Sequence, residues 1–236
     1  MKPKSIVNLG LAFVLLPGVL AWLGPVQPAR AAGIWYVAPG GNDAANCTTP
    51  GTSCGTINGA LGKAVAGDTI LVAAGLFTDP FNEYDVVSIT KSISISGGWN
   101  PAFSEQNSFS VLDGQNTRAV LFLGPGWETV VTMDRFIIQN GYAYSEGGGV
   151  YNKAAFTLTN SIITHNTAEI SGGGILNSGD GQGRLTIKNS VISDNTVLQR
   201  FGGGIENGSF LFISNSTISN NSAPEAGGGS ITERMN

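Results

Sequence analysis

Gly147-Gly148-Gly149-Val150-Tyr151-Asn152 returns as Gly172-Gly173-Gly174-Ile175-Leu176-Asn177 and again as Gly202-Gly203-Gly204-Ile205-Glu206-Asn207. A fourth glycine triplet begins at Gly227, so the phrases start 25, 30 and 25 residues apart. Between them runs a second phrase, from Leu158 to Ala168, repeated from Ile187 to Val197 and from Ile213 to Ala223. Each repeat of this kind is too small to bury its own apolar face and does so only against its neighbours, which makes the chain a solenoid or array.

Composition chooses among solenoids. Glycine supplies 34 of 236 residues and charged side chains only 12%, against a usual charged share of roughly 25%. The repeats are Gly, Asn, Ser, Thr and β-branched residues, whereas ankyrin and tetratricopeptide repeats need runs of helix formers. The Leu-x-x-Leu-x-Leu frame is missing, and a propeller blade needs about 40 residues. A parallel β-helix of about six coils remains, with regular repeats from about residue 130.

Residues 34–37 and 69–73 read as strands. Thr56–Ala66 has helical spacing, with Ile57, Leu61 and Val65 on one face; a short helix there is expected to cap the open end of the solenoid. Runs of three to six residues punctuated by Gly, Asn, Asp and Pro predict short strands at 86–89, 92–96, 120–123, 130–133 and 136–138. One full coil is then 156–159, 162–164 and 175–176. Stacked strands lie about 4.8 Å apart, so like residues sit over like. Two asparagine ladders are predicted, Asn160/Asn189/Asn215 and Asn166/Asn195/Asn221, because Asn tolerates a left-handed turn and can pass its amide to the Asn of the next coil.

The N-terminus reads as a secretion signal over residues 1–31: Lys2 and Lys4, an apolar run from about Ile6 to Leu23, and the cleavage site Ala29-Arg30-Ala31. Cleavage removes three of twelve basic residues and no acid, leaving nine against sixteen and a net charge of −7. That balance, with no basic run, speaks against nucleic acid. No later stretch approaches the ~18 apolar residues of a membrane span. Cys47 and Cys54, an even pair beside a secretion signal, read as a disulfide turned by Pro50-Gly51. Two thiolates with no nearby histidine do not complete a zinc site. The expected layout is a signal peptide (1–31), a cap with the disulfide loop and helix (32–68), and a β-helix (69–236) whose C-terminal end is uncapped.

The pattern Asn-Ser-x-Ile-x-x-Asn-x-Ala followed by Gly-Gly-Gly-Ile-x-Asn resembles the right-handed parallel β-helix repeats of bacterial secreted proteins. It is especially similar to the Gly-Gly-Ala-Ile repeats of polymorphic outer-membrane proteins. The segments Tyr36–Asp43, Ser96–Asn100 and Leu112–Gly114 look like the same class. The resemblance implies an all-β, single-stranded, right-handed, pectate-lyase-like solenoid, secreted or exposed at the cell surface or outer membrane. The scaffold also carries pectate lyases, polygalacturonases and adhesins, so it does not choose an activity. Polymorphic outer-membrane proteins end in a transmembrane barrel, whose alternating ~10-residue segments do not follow here. The last triplet runs into Ser230–Asn236 without Ile-x-Asn. The expectation is either a fragment of a longer surface protein or a short relative with an open last coil, which favours self-association.

Candidate chemistry is sparse. Lysis of a uronate needs clustered acids for calcium and a basic residue as proton acceptor, and hydrolysis needs paired carboxylates. Asp113, Asp134 and Asp194 are far apart in sequence. Asp134 and Arg135 align with Asn160 and Ser161, and together with Asp194 they are the best catalytic candidates if one groove gathers them. His165, the only histidine, aligns with Asp194 and Asn220 and reads as an exposed turn residue. Ser178-Gly179-Asp180-Gly181-Gln182-Gly183 resembles a calcium loop without its repeating frame, so neither a metal site nor a cofactor is assigned. Tyr142, Tyr144 and Tyr151 are candidates for a sugar-stacking platform. Thr157-Leu158-Thr159 occurs once, against the successive Thr-x-Thr pairs an ice-binding face requires. The leading expectation is a secreted, non-catalytic adhesin-like or structural binding module whose partner is an extracellular polysaccharide or surface protein. The alternative is a lyase or hydrolase acting on an acidic polysaccharide.

Overall fold

In the computed structural model, residues 31–79, 83–178 and 183–225 are described in full, and residues 231–233 by their backbone. Residues 1–30 of the expected secretion signal, most of the 178–183 loop and the fourth glycine triplet fall outside these.

Strand β1 (Ile34–Val37) and helix α1 (Ile57–Lys63) precede the first coil, made of β2 (Thr69–Ala73), β3 (Gly75–Phe77) and β4 (Asp85–Ile89). The second coil is β5 (Ile93–Trp99), β6 (Ser110–Asp113) and β7 (Ala119–Leu123). From the third coil a two-residue strand is added: β8 (Val130–Asp134), β9 (Phe136–Gln139), β10 (Tyr142–Ala143) and β11 (Val150–Asn152). The fourth is β12 (Ala155–Thr159), β13 (Ile162–Thr164), β14 (Thr167–Ala168) and β15 (Ile175–Asn177). The fifth is β16 (Arg184–Lys188), β17 (Val191–Ser193), β18 (Thr196–Val197) and β19 (Ile205–Asn207). The last is β20 (Phe210–Ser214), β21 (Thr217–Ser219) and β22 (Ile231–Glu233).

Every ladder between these strands is parallel; β2 takes β1 on one side, and otherwise each strand from β2 on pairs with its counterparts one coil away. The result is a parallel β-solenoid with three long sheets of seven, six and six strands. Strands such as β8, β12, β13 and β16 alternate between buried and outward positions. Val131, Phe156 and Leu185 point inward in one column, Met133, Leu158 and Ile187 in a second, and Ile138, Ile163 and Ile192 in a third, all at most 1% exposed. Their counterparts in the last coil, Leu211, Ile213 and Ile218, are only partly buried.

A small fourth sheet, β10-β14-β18, was not expected. Its two-residue strands are too short to show alternation, and they carry a separate apolar cluster of Ala143, Ala168 and Val197. At the other end, α1 covers the first coil with Ile57, Ala60 and Leu61. Thr56 Oγ1 accepts the Gly59 N–H at its start, and Lys91 Nζ donates to the Leu61 and Ala64 carbonyls at its end. The helix stops at Lys63, so Val65 leaves the expected apolar face and is 48% exposed. Cys47 and Cys54 are disulfide-bonded, and the loop they close is strapped to β1 through Tyr36 N–H to Cys47 O and Cys54 N–H to Tyr36 O.

The glycine triplets combine two requirements. Their first members, Gly147, Gly172 and Gly202, have φ of 73°, 67° and 68°, the left-handed region in which a Cβ is costly. The second and third lie against neighbouring backbone: a Cβ on Gly173 would meet Thr196 O at 2.5 Å and Gly203 O at 2.7 Å.

The two predicted asparagine sets behave differently. Asn160, Asn189 and Asn215 take the left-handed turn (φ 49°, 51° and 50°), but they are exposed, and the bond from Asn189 Nδ2 to Asn160 Oδ1 is long at 3.3 Å. In the other set the two jobs are divided. His165, Asp194 and Asn220 take the left-handed conformation, and the following Asn166, Asn195 and Asn221 are buried and pass the amide on. Asn166 Nδ2 donates to Asn195 Oδ1 at 2.9 Å, and Asn195 Nδ2 to Asn221 Oδ1 at 3.0 Å. A third column, Asn152–Asn177–Asn207, is equally buried and linked at 2.8 and 2.6 Å.

Asn195 also accepts the Asn166 N–H and donates to the Ile163 carbonyl. Asn195→Ala is expected to cost roughly 1–3 kcal/mol for each buried group it leaves unpaired. Asn189→Gly, which keeps the turn conformation at an exposed site, should stay within about 0.5 kcal/mol. Urea unfolding of both variants checks this; equal costs would refute the assignment of stability to the buried column.

Candidate functional site

Outward positions on the seven-stranded sheet form a grid. Its columns, read from β8 through β12 and β16 to β20, are Val130–Ala155–Arg184–Phe210, Thr132–Thr157–Thr186–Phe212 and Asp134–Thr159–Lys188–Ser214. Columns lie about 6.7 Å apart along a strand and rows about 4.8 Å apart across coils. The middle column continues back through Ser94 to Thr69, giving five successive hydroxyls. The column beside it is interrupted by Asp134 and Lys188.

One side of the grid is apolar and open to solvent. Val130 is 52% exposed, Phe210 65% and Phe212 57%, and Trp127, on the loop before β8, is 51% exposed. Arg184 lies between two rings, its guanidinium carbon 5.8 Å from the Trp127 ring centroid and 5.2 Å from that of Phe210. Stacking of this kind holds the flat guanidinium while leaving it charged. Beside it the loop residues Pro125, Gly126, Trp127, Glu128 and Thr129 line a cleft of about 230 Å³. This surface was missed in the sequence, although Arg184-Leu185-Thr186-Ile187-Lys188 and Phe210-Leu211-Phe212-Ile213-Ser214 alternate in a way that puts Arg, Lys and both Phe outward.

The catalytic candidates do not converge. Register sets Asp134 beside Thr159, and Arg135 beside Asn160, one position away from the alignment read in the sequence. Asp134 is already engaged: Oδ1 accepts from Thr159 Oγ1 and Asn160 Nδ2, both at 2.6 Å, and Oδ2 from Gln106 Nε2 at 3.2 Å, with Arg135 Nε 3.8 Å away. Asp194 belongs to the turn column of His165 and Asn220, at the far end of the short strands of the second sheet, and is exposed. His165 is exposed too, with its Nδ1 2.8 Å from Thr164 Oγ1. Asp113 is held by Gln139 and Asn140. Among the described residues no group of three or more His, Cys, Asp or Glu is arranged to hold a metal ion.

The three tyrosines split. Tyr142 and Tyr144 meet edge to face at 5.1 Å, and the Tyr142 hydroxyl donates to Glu169 at 2.8 Å. That bond to a carboxylate holds the phenol proton and raises its pKa above the ordinary value. Tyr151 sits on a different sheet, edge to face with Phe122 at 5.8 Å and under the Lys153 ammonium at 5.2 Å. A second cavity of about 180 Å³ lies between the cap and the first coil, lined among others by Pro39, Gly55, Ile57, Leu76 and Asp79. Asp79 accepts from Asn58 Nδ2 there at 2.6 Å.

Comparison with protein-family models gives no match, and neither does comparison with curated proteins. Among solved structures the chain is similar to the crystal structure of pectate lyase Pel9A, with 14% identity over 86% of this chain and 68% of that one, at a TM-score of 0.38.

At the head of β4, burial pushes the Asp85 carboxyl up from 3.8 to about 6. The folded chain therefore holds this proton more tightly than the unfolded one. The stabilisation is complete below about pH 4 and is lost as pH rises through 6. Asp85→Asn should raise the guanidinium unfolding midpoint at about pH 7, with the gain shrinking toward pH 4; an unchanged midpoint at neutral pH would contradict a desolvated carboxyl.

Proposed function

We propose that the chain is an extracellular or surface-exposed β-helix that binds through the outer face of its seven-stranded sheet and performs no chemistry there. The observation that carries this reading is the gathering of Trp127 and Phe210 about Arg184, with Phe212 beside Phe210 and Val130 further along the same sheet face, each of the four at least half exposed. Contiguous exposed apolar side chains on a soluble fold mark an interaction surface. The carboxylate best placed for catalysis, Asp134, is committed to hydrogen bonds with Thr159 and Asn160 that hold the column together. Export is supported by the leader-like first 31 residues of the sequence and by the Cys47–Cys54 disulfide, which persists in oxidising compartments. Kinship with the repeats of polymorphic outer-membrane proteins is supported by the in-register stacking of Val150, Ile175 and Ile205 behind their glycine triplets.

The mature protein, incubated with polygalacturonate and calcium, is expected to release no unsaturated uronate. With neutral glycans it is expected to release no new reducing ends. Sustained turnover that disappears in Asp134→Asn would overturn the reading in favour of a lyase or hydrolase.

A further inference from the structure

The sheet face already described carries a charge pattern at odds with the rest of the chain. Without its leader the chain has nine basic and sixteen acidic residues, yet both exposed charged side chains of β16 on this face, Arg184 and Lys188, are cations. Among the described residues, Asp134 and Glu128 are acids on this side of the sheet. Asp134 is offset by Arg135 at 3.8 Å, and Glu128 sits on the loop that lines the cleft. Arg184 and Lys188 stand at the two ends of one strand, about 13 Å apart along it. Between and beside them lie the hydroxyls of Thr157 and Thr186 and the rings of Trp127, Phe210 and Phe212.

We propose that this face binds a carboxylated polysaccharide, with Arg184 as its principal carboxylate ligand and Lys188 as a second; the proposal rests on the binding-module reading above. Three features of such a ligand are met by three kinds of side chain. Aromatic rings cover the apolar faces of sugar rings. The threonine hydroxyls exchange hydrogen bonds with sugar hydroxyls. A guanidinium already stacked between two rings loses little freedom when it takes a carboxylate in its two-pronged donor edge. The ligand's negative charge complements the two cations. A single-stranded nucleic acid would also stack on these rings, but grooves for single strands follow the phosphate backbone with a continuous positive lining, whereas here threonine hydroxyls and aromatic rings fill the space between Arg184 and Lys188.

Because the cations are side chains, recognition needs no bridging calcium. The test is affinity electrophoresis of the mature protein in gels containing polygalacturonate, its fully methyl-esterified form, a neutral glucan or single-stranded DNA, each with and without a chelator. Retardation is expected with polygalacturonate, unchanged by the chelator and weakened by salt. It should fall roughly ten-fold or more in Arg184→Gln, and fall further in the double variant with Lys188→Gln. Arg200→Gln, an equal charge change on the exposed loop after β18, should leave it unaltered.

Equal retardation by the esterified polymer, or no loss in Arg184→Gln, would overturn the carboxylate assignment while leaving a binding module intact. So would strict dependence on calcium, or stronger retardation by DNA. Degradation of the polymer in the gel would instead overturn the non-catalytic reading itself.

Discussion

Hydrogen bonding between coils is the constraint from which the rest follows. From β2 onward each strand finds its backbone partners one coil away, in parallel and in register. A residue's neighbours above and below are therefore its own counterparts. This geometry turns a chemical preference at one position into a column. Apolar columns fill the interior, and amide columns close the turns. Where Cβ atoms would collide with the next coil's carbonyls, the column is glycine. On the outer face of the seven-stranded sheet, side chains that depart from their column, such as Arg184 and Phe212, stand out into solvent and are the candidates for a binding role.

The same rule explains the candidate site. The outer grid of the first sheet is built on hydroxyls from Thr69 to Thr186, a neutral, polar surface that needs no special account. The candidate site lies where the columns change type, as Ala155 gives way to Arg184 and then Phe210, and Thr186 to Phe212. The contrast with Asp134 is instructive. It too departs from its column, yet Thr159 and Asn160 of the next coil bond it at once, so it is absorbed into the stack. Among the described residues, the Arg184 guanidinium stacks on the Trp127 and Phe210 rings, which orient it without neutralising it.

Much of the architecture was readable from the chain because the repeat is itself the physical cause of the fold. Where the phrase is strong, as in the coils beginning at Phe156 and Leu185, strands and columns follow directly. Where it is weak, errors enter. Met133-Asp134-Arg135-Phe136 lacks the Asn-Ser marker of its sister coils, and its alignment there was one residue out. The strands β10, β14 and β18 are two residues long and hold no periodicity to detect. Left-handed turns were correctly tied to Asn, but His165 and Asp194 fill the same role, and the ladder passes to the next residue. Half of the site could be seen in outward Arg184, Phe210 and Phe212. The remainder depends on Trp127, whose place over Arg184 is set by a non-repeating loop that no periodicity argument reaches.

The glycine triplets have a thermodynamic corollary. Along that edge of the solenoid, peptide groups pack against peptide groups, with the N–H groups of Gly148, Gly149, Gly173 and Gly174 donating to the Gly172, Gly173, Gly202 and Gly203 carbonyls of the next coil at 3.0–3.1 Å and with no apolar side chain of their own to bury. Unfolding such a seam exposes mainly polar surface, whose hydration lowers heat capacity where apolar surface raises it. The seam thus works against the curvature that the Ile, Leu and Val columns impose on stability as temperature changes, and a larger glycine share per coil would flatten that curve further.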